Sequence, residues 1–391
     1  MTAVWTILLV CVAFVAYTYV VYPALLALVG RFRRRGSDAE PPTEWPRVTI
    51  TVPVYNEEAQ IRDLLESLLA LDYPGDRRQI LIVSDGSTDG TDAIVREYEG
   101  RGVELLRIES RAGKTAAENA ALAHVRGDIV VNTDASIRIR PDALKPLIRR
   151  FRDPSIGVAS GRDVSVAAAD ADANAGESGY VGYEMWVRGL ENRVDGIIGA
   201  SGCFYAIRGE LHRLDVPVHL SRDFSSALNA RRHGYRAVSV DAALCTVPRT
   251  ASLRREYRRK VRTMARGIRT LFHHRDLLNP VRYGWFAWML ASHKVARWLL
   301  PVALLVAASA VLVGSLGTGW ALPVWLAAAL VLGATVAAWL WPEDRPTPRV
   351  LALPAYLVLG NLAALHALVR AATERRGDAL WEPTRREGAY R

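Results

Sequence analysis

Residues 4–29, VWTILLVCVAFVAYTYVVYPALLALV, carry no charge and are followed at once by RFRRR. An uncharged apolar run longer than the roughly 20 residues needed to cross a bilayer has few homes other than lipid. A secretory signal has a shorter apolar core behind a basic start and ends at a small-residue cleavage site. Here the start is uncharged and the arginines come after, so an uncleaved anchor is expected, with the arginines on the cytoplasmic side. Composition agrees: half of the 391 residues are hydrophobic, yet the formal charge is +10. The arginines lie beside apolar runs, which points to lipid headgroups and away from nucleic acid. The bias towards Arg and Ala suggests a high-GC bacterial genome. Three cysteines, Cys11, Cys203 and Cys245, lie far apart without CxxC spacing, so neither a disulfide framework nor a zinc site is expected.

Three more apolar runs, 297–316, 320–341 and 350–369, are each about long enough to span. The uncharged GSLGTG between the first two suits the outside, and PEDRPTPR between the next two suits the inside. Three crossings would leave the arginine-rich tail outside, where the same rule disfavours it, unless residues 283–296 supply another membrane element.

After a polar linker (31–46), short β-rich runs alternate with helical spacing from residue 47 onward. VTITVPVY (48–55), QILIVSD (79–85), ELLRIES and DIVVNTD read as strands. EEAQIRDLLESLLALDY (57–73) and TDAIVREYEG (91–100) read as helices between them. That alternation predicts a parallel, doubly wound α/β sheet, whose ligands bind beyond the carboxyl ends of the strands. Asn56, Asp85 and Asp134 each fall at such an end. Singly each is explained by a cap or a tight turn; together they place polar groups where a base, a ribose and a metal could be held. Arg111-Ala112-Gly113-Lys114-Thr115 opens a helix, but Ile108 stands where a phosphate loop needs glycine, which excludes a P-loop ATPase. A lysine at a helix start still suits a diphosphate.

Leu253, Tyr257, Val261, Met264, Ile268 and Leu271 recur at helical spacing, with arginines 254, 255, 258, 259, 262, 266 and 269 between them. This predicts an amphipathic helix lying at the membrane interface.

PVYNEE, IVSDGSTDGT, GKTAAEN and NTDAS, in this order, resemble the family-2 glycosyltransferases. Their membrane-integrated branch, which the chain resembles, includes bacterial cellulose, hyaluronan and poly-N-acetylglucosamine synthases. GASGCFYAIR (199–208), SRDF (221–224) with GYR (234–236), RRKVR (258–262) and SHKVARW (292–298) extend the likeness over roughly residues 45–300. The resemblance implies a Rossmann-like α/β domain of the GT-A type joined to transmembrane helices. It implies an anchor at 1–30, a linker at 31–46, a cytoplasmic catalytic domain at 47–252 and interfacial helices at 253–296. About three spans at 297–371 and a basic tail at 372–391 would follow.

Its implied activity is inverting, metal-dependent transfer of a hexosyl or N-acetylhexosaminyl group from a UDP-sugar to a lipid or growing glycan. That places the protein in the bacterial inner membrane, with an accessory subunit as a further partner. Carried over by position, Tyr55, Glu57 and Asp85 would contact the nucleoside, and Lys114 and Asp134 the diphosphate. Mg²⁺ or Mn²⁺ would rest on Asp134, with Ser136 as a second position. Gly199, Ser201 and Gly202 would line the acceptor side, Asp223 would be the general base, and Arg262 would steady the leaving UDP. Three departures stand out: Ser136 replaces a second acid, Arg222 replaces the acid before the base, and Thr263 replaces a tryptophan of long-polymer enzymes. The first two leave open an alternative, a non-catalytic subunit that senses nucleotide or acts as a scaffold. Arg222 is also expected to favour the ionised form of Asp223.

Overall fold

The computed structural model describes residues 2–33, 43–166, 175–248, 252–342 and 347–374. Most of the expected linker and the basic tail from 375 therefore lie outside the described residues. The apolar runs bounded by turn residues form strands β1 (Val48–Val54), β2 (Arg78–Asp85), β3 (Val103–Ile108) and β4 (Ile129–Thr133). They are followed by β5 (Arg138–Ile139), β6 (Ile156–Val166), β7 (Phe204–Arg208) and β8 (Arg236–Pro248). The eight strands make one sheet in the order β3-β2-β1-β4-β7-β6-β8-β5.

Both faces of the sheet are covered, which is why β1 is buried along its whole length and reads as a continuous apolar run. Ile50, Ile80 and Ile82 face a core closed by Ile61, Leu64, Leu65 and Leu68 of the helix Ile61–Leu69. Their neighbours Leu81 and Val83 face the opposite side, against Ala117 and Ala121, as the two-residue period of a strand requires.

The expected parallel sheet holds for β3, β2, β1 and β4. Beyond β4 the sheet is mixed: β7 runs antiparallel to both β4 and β6, β6 parallel to β8, and β5 antiparallel to β8. The reversal has a consequence for the site. Phe204, the first residue of β7, pairs with Thr133, the last of β4. The segment 199–203 is thereby delivered to the strand end where Asp134 stands, and Thr133 Oγ1 fastens it by donating to the Cys203 carbonyl at 2.8 Å.

Among the described residues, four helices are long and apolar enough to cross a membrane: Thr2–Phe32, Pro280–Ser315, Ala321–Leu340 and Arg349–Thr373. The second begins at Pro280, not at 297 as the sequence pattern suggested. Residues 283–296 belong to it, carried through a non-helical Gly284 (φ 50°) and a π-turn at Ala291–Val295. The amphipathic helix Leu253–His273 forms as expected, capped by Ser252. Its apolar face packs on the last of the four: Ala265 and Ile268 close against Ala367. The N-terminal helix docks on the sheet domain through Tyr22 and Leu26, which meet Val187, Leu190 and Phe224.

Candidate active site

The two strand-end loops after β1 and β2 are stitched to each other by their own polar residues. Asn56, at φ 52°, accepts from the Thr88 backbone at 2.8 Å. The Glu57 amide donates to Thr91 Oγ1 at 2.8 Å, and Asp89 receives the Glu58 amide at 3.2 Å. Asp85 is fully buried, and its two oxygens accept the amides of Ala112 and Gly113 at 2.7 and 2.8 Å. It fixes the turn that starts the helix Lys114–Ala120, in which Gly113 sits at φ 93°. Gly86 passes so close to this turn that a β-carbon there would stand 2.9 Å from the Arg111 nitrogen. Arg111 in turn lies over the Tyr55 ring at 4.0 Å. Burial pushes the Glu57 carboxyl up to about 7, with Asp134 and Asp89 adding to the rise against the hydrogen bond from Gln60.

Lys114 forms an ion pair with Asp134 and lies 4.0 Å from Glu118 one turn on. Burial opposes the charge on Lys114, but Asp134, Glu118 and Asp223 outweigh it and hold the ammonium above its ordinary range. Burial likewise raises the Glu118 carboxyl, against the pull of Lys114 and Arg222.

A cavity of about 400 Å³ opens here, within the size range of small-molecule sites. It brings together Lys114, Asp134, Ser201, Gly202, Asp223 and Arg262, which span 148 residues of chain from Lys114 to Arg262 yet line one cavity. Asp223, in the first turn of the helix Arg222–Arg232, accepts a hydrogen bond from Ser221. Its other oxygen lies 2.9 Å from where a β-carbon on Gly202 would be, so only glycine leaves the carboxylate its place. Ser201 Oγ reaches both oxygens of Asp163 at 2.8 and 2.6 Å. Tyr55, Glu57, Asp85, Ser136 and Gly199 are not part of this wall. Asp85 acts on it through the 112–113 turn, and Gly199 packs against Phe224.

Arg222 does not turn towards Asp223. Its guanidinium donates to the His212 carbonyl at 2.6 Å and to Asn119. The amphipathic helix was expected to spend its arginines on the membrane surface. Arg259, Arg262 and Arg266 instead face the cavity, and Arg266 donates to Thr115 Oγ1 and the Leu220 carbonyl, both at 2.7 Å.

Glu118, Asp163, Glu184, Arg188, Arg259 and Arg266 line the same cavity without having been singled out in the sequence. Glu118 was legible, since it stands one turn after Lys114. Asp163 and Glu184 carried no local signal, because each reaches the cavity only through the mixed half of the sheet and the helix Ala175–Val194. Although burial opposes it, His293 and Arg297 hold the Glu184 carboxyl well below the usual range.

Among the described residues, no group of three His, Cys, Asp or Glu side chains is arranged to hold a metal. The donor set at Asp134 fits a hard cation in another way. Mg²⁺ and Mn²⁺ accept one carboxylate, with substrate phosphate and water as the remaining ligands.

Residues 49–207 match the family described as glycosyl transferase family 2. That segment carries the likeness to the family, and the fold around it is a GT-A-like mixed sheet with helices on both faces. A beta-monoglucosyldiacylglycerol synthase of Synechocystis sp. is 38% identical over 117 residues, 29% of this chain and 24% of that protein. An N-acetylglucosaminyltransferase of Mesorhizobium japonicum is 30% identical over 164 residues, 40% of this chain and 37% of that protein. The match therefore spans well under half the length of either curated relative. Among solved structures, a mannosyltransferase of Pyrobaculum calidifontis, in complex with GDP-Man and Mn²⁺, superposes with a TM-score of 0.71 at 24% identity. It covers 94% of this chain and 99% of that one, a likeness of fold.

Proposed function

We propose that the protein is a membrane-bound glycosyltransferase that moves a sugar from a UDP-sugar to a lipid or glycan hydroxyl at the cytoplasmic face, inverting the anomeric centre. The observation that carries this reading is the single cavity shared by Asp223, the Lys114–Asp134 pair, Arg262 and the Ser201–Gly202 turn. A sugar hydroxyl is a poor nucleophile until a carboxylate removes its proton, and Asp223 is the acid placed by Ser221 and Gly202 to do so. Departure of the nucleoside diphosphate builds negative charge, which Lys114 and Arg262 face from two sides of the cavity. A divalent cation, Mg²⁺ or Mn²⁺, held by Asp134 with Ser136 as its second position, would add charge neutralisation at the diphosphate. Tyr55 and Glu57 form the nucleoside side, with Asp85 shaping it from below. One base and no covalent intermediate give inversion. The diacylglycerol-linked relative supports a lipid acceptor, and the four apolar helices support a site held against a bilayer.

The test is UDP release by the purified protein in lipid nanodiscs, over a panel of UDP-sugars with Mn²⁺, Mg²⁺ or EDTA. Metal-dependent release is expected from one donor. Asp223→Asn should lower it by about 10²- to 10⁴-fold, as loss of a general base does. Absence of release from every donor, with crude lipid supplied, would favour the non-catalytic scaffold or sensor instead.

A further inference from the structure

Behind the helix that carries the base lies a second cavity, of about 220 Å³. It is lined by His274, only 2% exposed, and by the fully buried Ser225. Neither ring nitrogen of His274, nor Ser225 Oγ, has a hydrogen-bond partner among the described residues. Buried polar atoms are nearly always paired. Three orphans on one cavity mark a place built for something polar. Arg232, which is ion-paired with Asp276, His233, whose Nδ1 meets the Asn229 carbonyl at 2.9 Å, and His273 also line it, and Asp215 is the one carboxylate among the lining residues.

The cavity is separate from the catalytic one. Between them runs the segment Leu214–Leu220, held from the catalytic side by Asn119, which donates to the Val216 carbonyl at 2.8 Å. Thr115 and Arg266 both donate to Leu220, at 3.1 and 2.7 Å. Among the described residues, no group of three His, Cys, Asp or Glu side chains is arranged there to hold a metal. Burial, helped by Arg232, pushes the His274 imidazole down to about 4. At neutral pH it therefore presents an N–H and a lone pair. The surroundings are amphipathic. Phe272, beside His273, is 69% exposed, and Val281, in the first turn of the apolar helix that starts at Pro280, is 95% exposed.

We propose that this cavity binds a phosphate group, carried by a membrane phospholipid headgroup or by a free phosphate ester. The donors of His274 and Ser225, with His273 and the second ring nitrogen of His233, would meet its oxygens. Its small volume suits one phosphate and little more. In the lipid case, Phe272 and Val281 would lie along the apolar chains.

The experiment is calorimetric titration of the full chain in detergent micelles, without donor sugar or metal, so that it stands apart from the transferase reading. The titrants are dihexanoyl phosphatidylglycerol, inorganic phosphate and, as an uncharged control, glycerol. Binding of one or both phosphates but not glycerol is expected. The affinity should weaken about tenfold or more in His274→Phe and severalfold in Ser225→Ala, the loss expected for hydrogen bonds to a charged group. Lipid alone binding would identify a headgroup site, and inorganic phosphate binding equally well a site for free esters. Binding of neither, equal binding of glycerol, or affinity unchanged in both variants would overturn the proposal, leaving the orphaned atoms to water.

Discussion

Gly202 and Asp223 form a contact that has no slack: a single methyl group on Gly202 would stand 2.9 Å from the carboxylate oxygen. The carboxylate, as the end of a side chain, gives way more easily than backbone. Gly202→Ala should therefore leave the melting temperature nearly unchanged while lowering kcat by about 10²-fold, the scale of a 1 Å misplacement of a reacting group. Equal turnover in the variant would remove Asp223 from the reaction. Glu57 supplies a pH test. Its carboxyl sits near 7 in the folded chain against 4.5 ordinarily, so the folded state binds more protons between those values. Its contribution to stability is fully present below about pH 4.5 and is lost as pH rises through 7. By the size of the shift the ionised form costs about 3 kcal/mol, which Glu57→Gln removes. The melting temperature of the variant relative to the parent should climb from pH 5 to pH 8. A constant difference across that range would show that burial does not raise the Glu57 carboxyl.

Between elements, the decisive junction is the one that ties the catalytic domain to the apolar helices. Glu191, on the helix Ala175–Val194, is fully buried. It accepts from Tyr22 of the N-terminal helix at 2.6 Å and meets His293 of the helix Pro280–Ser315 at 2.5 Å. His293 also reaches Glu184, 2.8 Å away, on the wall of the catalytic cavity. Removing one member of such a group strands the others, at a cost of about 3–5 kcal/mol. Glu191→Leu should thus unfold at clearly lower temperature in detergent, read as loss of the monodisperse peak in size-exclusion chromatography after heating. An unchanged midpoint would show that this network carries no net stability. In the sequence His293 stood out only as part of the SHKVARW stretch. Its two carboxylate partners come from a helix more than 90 residues earlier in the chain, and no local spacing announces them.

Across the whole molecule, the arginines after the first helix and the uncharged turn near Thr318 predict opposite faces of a membrane. A cysteine replacing Thr318 should react with a membrane-impermeant maleimide on intact cells. One replacing Glu99, exposed on the catalytic domain, should react only after lysis. The reverse pattern would invert the orientation. The native thiols interfere little, since Cys11 and Cys245 are buried and Cys203 is half-buried.

The parallel half of the sheet, the four apolar helices and the acids at strand ends were legible in the sequence, because each depends on neighbours within a few residues. Hydrophobic period distinguishes strand from helix, run length marks a span, and Lys114, Asp134 and Asp223 stand in recognisable motifs. Tertiary structure decided what those motifs do. Asp85, Asp89 and Asn56 accept hydrogen bonds from backbone amides of the neighbouring loops, while Asp163, Glu184 and Arg188 join the cavity from the mixed half of the sheet and the helix beside it. The direction of β7 explains much of this difference. Strand direction is set by pairing across long loops, not by local pattern, and it is the antiparallel entry of β7 beside β4 that brings the segment 199–203 to Asp134. Likewise, helical periodicity showed that residues 253–273 are amphipathic, but only packing against Arg349–Thr373 turned Arg259, Arg262 and Arg266 inward to the cavity.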